Sequence, residues 1–333
     1  MGAGVVGSRR AASAAAESRL EIVADVDKER AAELASRHGA RYTIDWQEAI
    51  SDPTVDVVAV STSNKFLAPI AIAALRAGKH VLCEKPLGRN ATEAADVAAA
   101  AREAGRVLKV GFTLRFHPAI RRAHDLVGQG DLGPLFSVSA IYGHGGRPGY
   151  DKEWRGNPEL AGGGELLDQG VHLLDLSRWF LGGLEVVAAI TPRWHWEVAP
   201  LEDNAFVLLR GRAGEVSSLH TSWTMWKNRF WFEVLGRDGY ARVDGLGGSY
   251  GVETLTVGRK QSVGTIPEET VTTFDGPDTS WDEDWRDLIV CIEEGRGPEV
   301  GADEGLAVMR LVDDVYSQAA NAGAPARSLP AVN

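Results

Sequence analysis

The sequence predicts an α/β chain, a doubly wound parallel sheet first and then an α+β domain with a large, mostly antiparallel sheet. Three observations predict it. From residue 20 to about 115, short Val/Ile-rich runs alternate with Ala-rich amphipathic segments, the punctuation of βαβ units. A glycine-rich turn, Gly2-Ala3-Gly4-Val5-Val6-Gly7, stands at the head of that alternation. After residue 119 the runs lengthen and alternate in hydrophobicity between glycine turns, which reads as antiparallel strands. A chain of 333 residues suits two domains, divided here at 1–118 and 119–333.

In the first domain the runs 21–24, 55–60, 80–83 and 107–111 are the strands, and helices at 8–16, 28–38, 69–77 and 92–104 cover the sheet faces. Val81 to Cys83 are apolar throughout, as in strands buried on both sides. In the second domain a helix at 119–127 precedes strands at 135–142, 186–191, 205–210, 216–223 and 230–235. Hairpin turns fall at 211–214 and 236–239, and an amphipathic helix at 306–320 closes the chain. The glycine turn normally follows a strand, yet only Met1 precedes it. A first, central strand of about five to seven Val/Ile-rich residues is therefore expected upstream of Met1.

Composition excludes several functions. A net charge of −11 gives no footprint for nucleic acid or anionic membrane, and no apolar stretch reaches the length of a span. Ser8-Arg9-Arg10-Ala11 superficially matches a twin-arginine export signal, but Glu17 and Arg19 interrupt the apolar region such a signal needs. Only Cys83 and Cys291 are present, which suits a reducing, cytoplasmic setting. No histidine or cysteine spacing fits zinc, so no metal centre is expected.

The glycine turn fits G-x-G-x-x-G: the glycines permit a tight turn, close approach of backbone to a pyrophosphate, and close packing of helix on strand. Gly2, Gly4, Val5, Val6 and Gly7 are thus candidates to hold a dinucleotide. Asp25 ends the next strand, eighteen residues past Gly7. A carboxylate there accepts from ribose hydroxyls and repels a 2′-phosphate, which favours NAD over NADP. Asp27 reads as the cap of the following helix. Pro86 ends the strand at 80–83 and leaves Lys85 at its carboxyl end, where open α/β sheets bind ligands. Glu-Lys-Pro alone also suits a solvated turn; the glycine turn and Asp25 favour a functional lysine.

A second constellation follows Gly162-Gly163-Gly164. On a helix, Asp168, His172 and Asp175 would form one polar stripe beside Leu167, Val171 and Leu174. A carboxylate near an imidazole makes a general base suited to an alcohol at neutral pH. An isolated Asp-x-x-x-His also fits a face turned to solvent. The triple glycine argues otherwise, because it is a costly lead-in unless backbone must pass close to something, such as cofactor or substrate. The other histidines lack a comparable partner pattern. Trp154, Trp223, Trp226, Trp231 and Tyr250 are candidate faces for a sugar ring. Phe112 and Arg115, just past the strand at 107–111, are further candidates for substrate contact.

These residues together resemble the Gfo/Idh/MocA oxidoreductases, the glucose-fructose oxidoreductase and inositol dehydrogenase family, over essentially the whole chain. Ala77 to Leu87 is similar to the family's strand-and-lysine motif, and Gly163 to His172 to its second catalytic motif. Val110-Gly111-Phe112 and the Ser280-Trp281 region also fit. The resemblance implies that Lys85, Asp168 and His172 are catalytic, that Glu84 and Lys85 border the nicotinamide, and that Trp154-Arg155 approaches the cofactor. Ser61-Thr62-Ser63-Asn64-Lys65-Phe66-Leu67 resembles the family's Thr-Pro-Asn-x-x-His loop, with Ser63 for proline and Leu67 for histidine. Ser61, Thr62 and Asn64 remain cofactor candidates.

The expected activity is NAD-dependent oxidation of a secondary alcohol on a sugar, sugar derivative or cyclitol, or the reverse. His172 would take the hydroxyl proton, Asp168 would orient His172 or hold a neighbouring hydroxyl, and Lys85 would polarise the reacting oxygen. Two alternatives stand: an NAD-recycling glycoside hydrolase or epimerase, and a non-catalytic NAD-binding regulator. The resemblance also implies a homodimer or homotetramer built on the face of the second sheet.

Overall fold

The computed structural model describes residues 1–261, 264 and 266–321. The chain packs into two compact units. One comprises Met1–Thr113, Glu159–Gly162 and Thr279–Met309; the other comprises Leu114–Pro158, Gly163–Asp278 and the chain from Arg310. A single division at 118 thus gives way to an interleaved one.

The first unit runs α1 (Val5–Glu17), β1 (Ile22–Ala24), α2 (Lys28–Arg37), β2 (Arg41–Thr43), α3 (Trp46–Ser51), β3 (Val57–Val60), α4 (Asn64–Arg76), β4 (His80–Glu84), α5 (Ala91–Ala104) and β5 (Leu108–Gly111). Asp27 caps α2 as expected, accepting from the N–H groups of Glu29 and Arg30. Helix α4 begins five residues before Pro69, its anticipated start, because Pro69 lies in the second turn, where it removes one N–H without stopping the helix. The short β2 and α3 carry too few apolar residues to show in the sequence.

β3, β4 and β5 form one parallel sheet in which Val60 pairs with Cys83 and Glu84 with Gly111. Ser61, Lys85 and Phe112 consequently leave their strands at the same, carboxyl edge. β1 and β2 form a separate parallel pair. Gly2 N–H bonds to Ala24 O at 2.8 Å, and Ser61 N–H to Met1 O at 2.8 Å, so Met1 and Gly2 touch the ends of both pieces. A cavity of about 380 Å³ adjoins them, lined by Ile22 and Val23, by Val57 and Ala59, and by Trp285 and Ile289. After the second unit the chain supplies α9, at Ser280–Glu294. Its Trp285 and Leu288 complete the apolar cluster around Ala14 and Leu82, which is why this segment joins the first unit.

The second unit holds α6 (Pro118–Gly128) and an eight-stranded sheet: β6 (Leu135–Gly143), β7 (Leu184–Ile190), β8 (Asn204–Gly211), β9 (Val216–Ser222), β10 (Arg229–Gly236), β11 (Gly239–Asp244), β12 (Glu253–Arg259) and β13 (Glu268–Phe274). Their order is β13-β12-β11-β10-β6-β9-β8-β7, antiparallel except for the β6–β9 pair. Both expected hairpins, β8–β9 and β10–β11, are present. After the short α7 (Pro158–Ala161) and ahead of α8 (Val171–Leu181), the chain makes a π-helical turn over Leu166–Gly170. Helix α10 spans Ala302–Asn321. Among the described residues no helix is long and apolar enough to cross a membrane.

Candidate active site

In the first unit the glycine turn is built by contact. Gly2 has φ of +87°, and a Cβ there would lie 2.3 Å from Ser61 O; one at Gly7 would lie 1.8 Å from Gly2 O. At Gly4 a Cβ meets nothing within 4 Å, and no side chain caps α1. The helix thus starts without a side-chain cap, as an anion site at a helix N-terminus requires. Asp25 closes the turn: Oδ2 accepts from Ala3 N–H at 2.6 Å and Oδ1 from Asp27 N–H at 2.8 Å. Each oxygen keeps a second lone pair for a hydroxyl. Gly2, Gly4, Gly7, Ser61, Thr62 and Asp25 are thus gathered as the sequence suggested. Asn64 is buried, and its amide donates to Ala161 O at 2.8 Å, holding the 159–162 turn.

Lys85 is half-buried beyond the end of β4. Its neighbour Glu84 is 6% exposed and accepts from Arg10 Nε at 2.6 Å. Burial pushes the Glu84 carboxyl up, and the Arg10 charge opposes that rise. Phe112 is 1% exposed. Cys83 and Cys291 are buried thiols, both raised chiefly by desolvation, Cys291 to about 11.

In the second unit the π-helical turn changes the expected stripe. Asp175 joins Arg115 in a buried bidentate pair, at 2.8 and 2.5 Å, with Trp179 5.1 Å from the guanidinium. Both side chains are thus engaged in a buried ion pair. Asp168 accepts from Arg155 Nε at 3.0 Å and from Tyr150 Oη at 3.4 Å. The Asp168 charge raises Arg155 in turn. Trp154 lies 4.5 Å from the Arg155 guanidinium. His172 is buried, with the Tyr142 ring 6.1 Å away; Tyr142 packs 5.5 Å from Tyr250, whose Oη accepts from Gln169 Nε2 at 3.0 Å. Burial foremost, then the neighbouring Tyr250, raises the Tyr142 hydroxyl well above its ordinary value.

Of the aromatic candidates, Tyr250 and Trp154 lie beside this set. Trp223 is wholly buried, Trp226 is fully exposed, and Trp231 lines a groove on the open sheet face. Several histidines do have partners: His117 with Glu253, 136 residues away, His80 with the Val107 N–H, His220 with Asn204, and His144 with Tyr150. Gly146 N–H donates to His144 Nδ1 at 2.8 Å, so the neutral ring carries its proton on Nε2, toward Tyr150 Oη at 3.4 Å.

The triple glycine passes protein groups, which corrects the expectation of cofactor or substrate. A Cβ at Gly162 would lie 2.5 Å from Arg89 Cβ, at Gly163 2.4 Å from Tyr316 Oη, and at Gly164 2.0 Å from Glu202 O. Glu202, invisible in the sequence, accepts from Gly164 N–H at 3.2 Å, Leu166 N–H at 3.0 Å and Tyr316 Oη at 2.8 Å. Desolvation pushes its carboxyl up to about 7 despite these bonds.

Two family models match the chain: an oxidoreductase family with an NAD-binding Rossmann fold over residues 1–112, and the GFO/IDH/MocA C-terminal domain over 120–242. The 1,5-anhydro-D-fructose reductase of Ensifer adhaerens is 34% identical over 240 residues, 71% of this chain and 70% of that protein. Levoglucosan dehydrogenase of Pseudarthrobacter phenanthrenivorans is 34% identical over 198 residues, 59% of this chain; the match spans about half, 51%, of that relative's length. Among solved structures, GenD2 from gentamicin A biosynthesis in complex with NAD superposes with a TM-score of 0.83 at 30% identity, covering 96% of this chain and 93% of that one.

Proposed function

We propose that this chain, which belongs to the Gfo/Idh/MocA oxidoreductase family, oxidises a secondary alcohol on a sugar, sugar derivative or cyclitol with NAD, or runs the reverse reduction. The observation that carries the reading is the π-helical turn and helix that present Asp168, fixed by Arg155 and Tyr150, and His172, buried against Tyr142. A rigidly held carboxylate and a sheltered imidazole suit proton abstraction from a hydroxyl.

The residues present fit a dinucleotide: the uncapped N-terminus of α1 behind Gly4 suits its pyrophosphate, and Asp25 its ribose hydroxyls. NAD, when bound, supplies the hydride acceptor. Asp25 supports NAD over NADP. His172 takes the hydroxyl proton, Asp168 orients His172 or holds a neighbouring hydroxyl, and the Lys85 ammonium stabilises negative charge on the reacting oxygen. Trp154 and Tyr250 are the substrate-facing aromatics in this reading. The apolar residues Ile190 and Leu208, exposed on the open sheet face beside Trp231, support a homodimer or homotetramer. The two buried free cysteines support a cytoplasmic setting.

Net NADH formation over a panel of sugars and cyclitols tests the activity. Accumulating NADH supports a dehydrogenase. Substrate loss without NADH points to cofactor recycling, and binding with neither points to a regulator.

A further inference from the structure

Arg10 has no place in the chemistry above, yet it is 1% exposed and lies one turn inside α1, the helix that follows the glycine turn. Its Nε donates to Glu84 Oε1 and its Nη1 to Asp284 Oδ2, each at 2.6 Å. The Trp281 ring lies 4.5 Å from the guanidinium carbon. Asp284 also faces Lys109 Nζ at 3.2 Å, and Lys109 reaches Asp287 at 2.5 Å. The Ser280-Trp281 segment thus finds its use: α9 carries the ring and the carboxylate that hold Arg10. Gly111 is glycine for the same reason, since a Cβ there would lie 2.7 Å from Arg10 Nη2 and 2.8 Å from Glu84 Oε1.

Stability does not explain this cluster. Buried ion pairs gain little over well-packed apolar residues, and Arg10 Nη2 has no hydrogen-bond partner among the described residues, which is itself unfavourable. What a planar, two-pronged guanidinium does supply is direction. Glu84 is the last residue of β4, covalently next to Lys85. Fixing the Glu84 carboxylate against Arg10 fixes the strand end from which Lys85 projects.

We propose that Arg10 is a positioning residue for Lys85, locking the carboxyl end of β4 to the helix that opens on the glycine turn. This rests on the reading of Lys85 as the cation at the reacting oxygen. The test is a double-mutant cycle on the full chain with NAD and an alcohol found in the panel, using Arg10→Gln, Lys85→Met and the double variant. NADH affinity is read by fluorescence. Arg10→Gln is expected to lower kcat on the order of 100-fold, the effect of a misplaced group, while KM and NADH affinity move less than about threefold. Arg10→Lys, which keeps the charge but loses the fork, should recover part of that loss. In the Lys85→Met background, Arg10→Gln should cost less than about twofold, because the group it positions is gone.

Equal losses in both backgrounds would overturn the proposal and show Arg10 to act on the fold at large. So would an unchanged kcat in Arg10→Gln. A wild-type kcat in Lys85→Met removes the reading of Lys85 itself, a distinct result. If Arg10→Gln does not fold, Trp281→Leu, which removes only the ring under the guanidinium, is carried through the same cycle. It is expected to lower kcat by about three- to tenfold when Lys85 is present and to have no effect without it; additive losses overturn the proposal here too.

Discussion

His172 stands against the Tyr142 ring, and Tyr142, with its hydroxyl raised well above the ordinary value, stays protonated throughout the working pH range. The imidazole is then the neighbour able to accept a proton near neutrality. His172→Ala should lower kcat about 100- to 10,000-fold, the usual worth of a general base. Raising the pH should restore part of it, as the alcohol ionises without help. A pH–rate profile identical to the wild type would contradict the assignment. Asp25→Ala should weaken NAD binding roughly tenfold, the loss of a hydrogen bond to a charged group, and narrow the preference over NADP. Titration of both cofactors checks this; a wild type that prefers NADP would refute it. As candidates, Lys85, Asp25, Asp168 and His172 are legible because each lies in a local pattern of turn, strand end or helix. Arg10, Tyr150 and Glu202 were not. Their partners stand as far as 274 residues away for Arg10 with Asp284, and no spacing in a single sequence shows that.

At the level of elements, the lead-in to α8 explains both the triple glycine and the misplaced stripe. The glycines suggest room for a ligand, whereas Gly163 and Gly164 make room for Tyr316 and Glu202. The π-helical turn was not legible either, because one residue's change in the helical period leaves the apolar pattern almost intact. Asp168, within it, pairs with Arg155, and Asp175, beyond it, pairs with Arg115. Glu202 gives this element a pH dependence. Its pKa is higher folded than unfolded, so its contribution to stability is full below the unfolded value near 4.5 and is lost as pH rises through about 7. The difference corresponds to on the order of 3 kcal/mol. Urea unfolding between pH 4.5 and 8 should therefore show wild-type stability falling relative to Glu202→Gln as pH rises. Parallel curves for the two proteins would exclude this role for Glu202.

For the whole molecule, the alternation of β1, β3, β4 and β5 with helices and the change from parallel to antiparallel pairing are readable from hydrophobic periodicity, whereas β2, α3, β12 and β13 are not. The β6–β9 parallel pair and the return of α9 to the first unit were not, since both depend on contacts between distant segments. The chemistry assigned to this fold turns on Lys85, which the β4–β5 register places just past the sheet's carboxyl edge. The most direct measurement is single-turnover hydride transfer in Lys85→Met at saturating NAD, followed by NADH absorbance, with NADH affinity measured in parallel. The expected result is a rate about 100- to 1000-fold below the wild type with affinity changed by less than about threefold. A wild-type rate of hydride transfer in that variant would contradict the assignment.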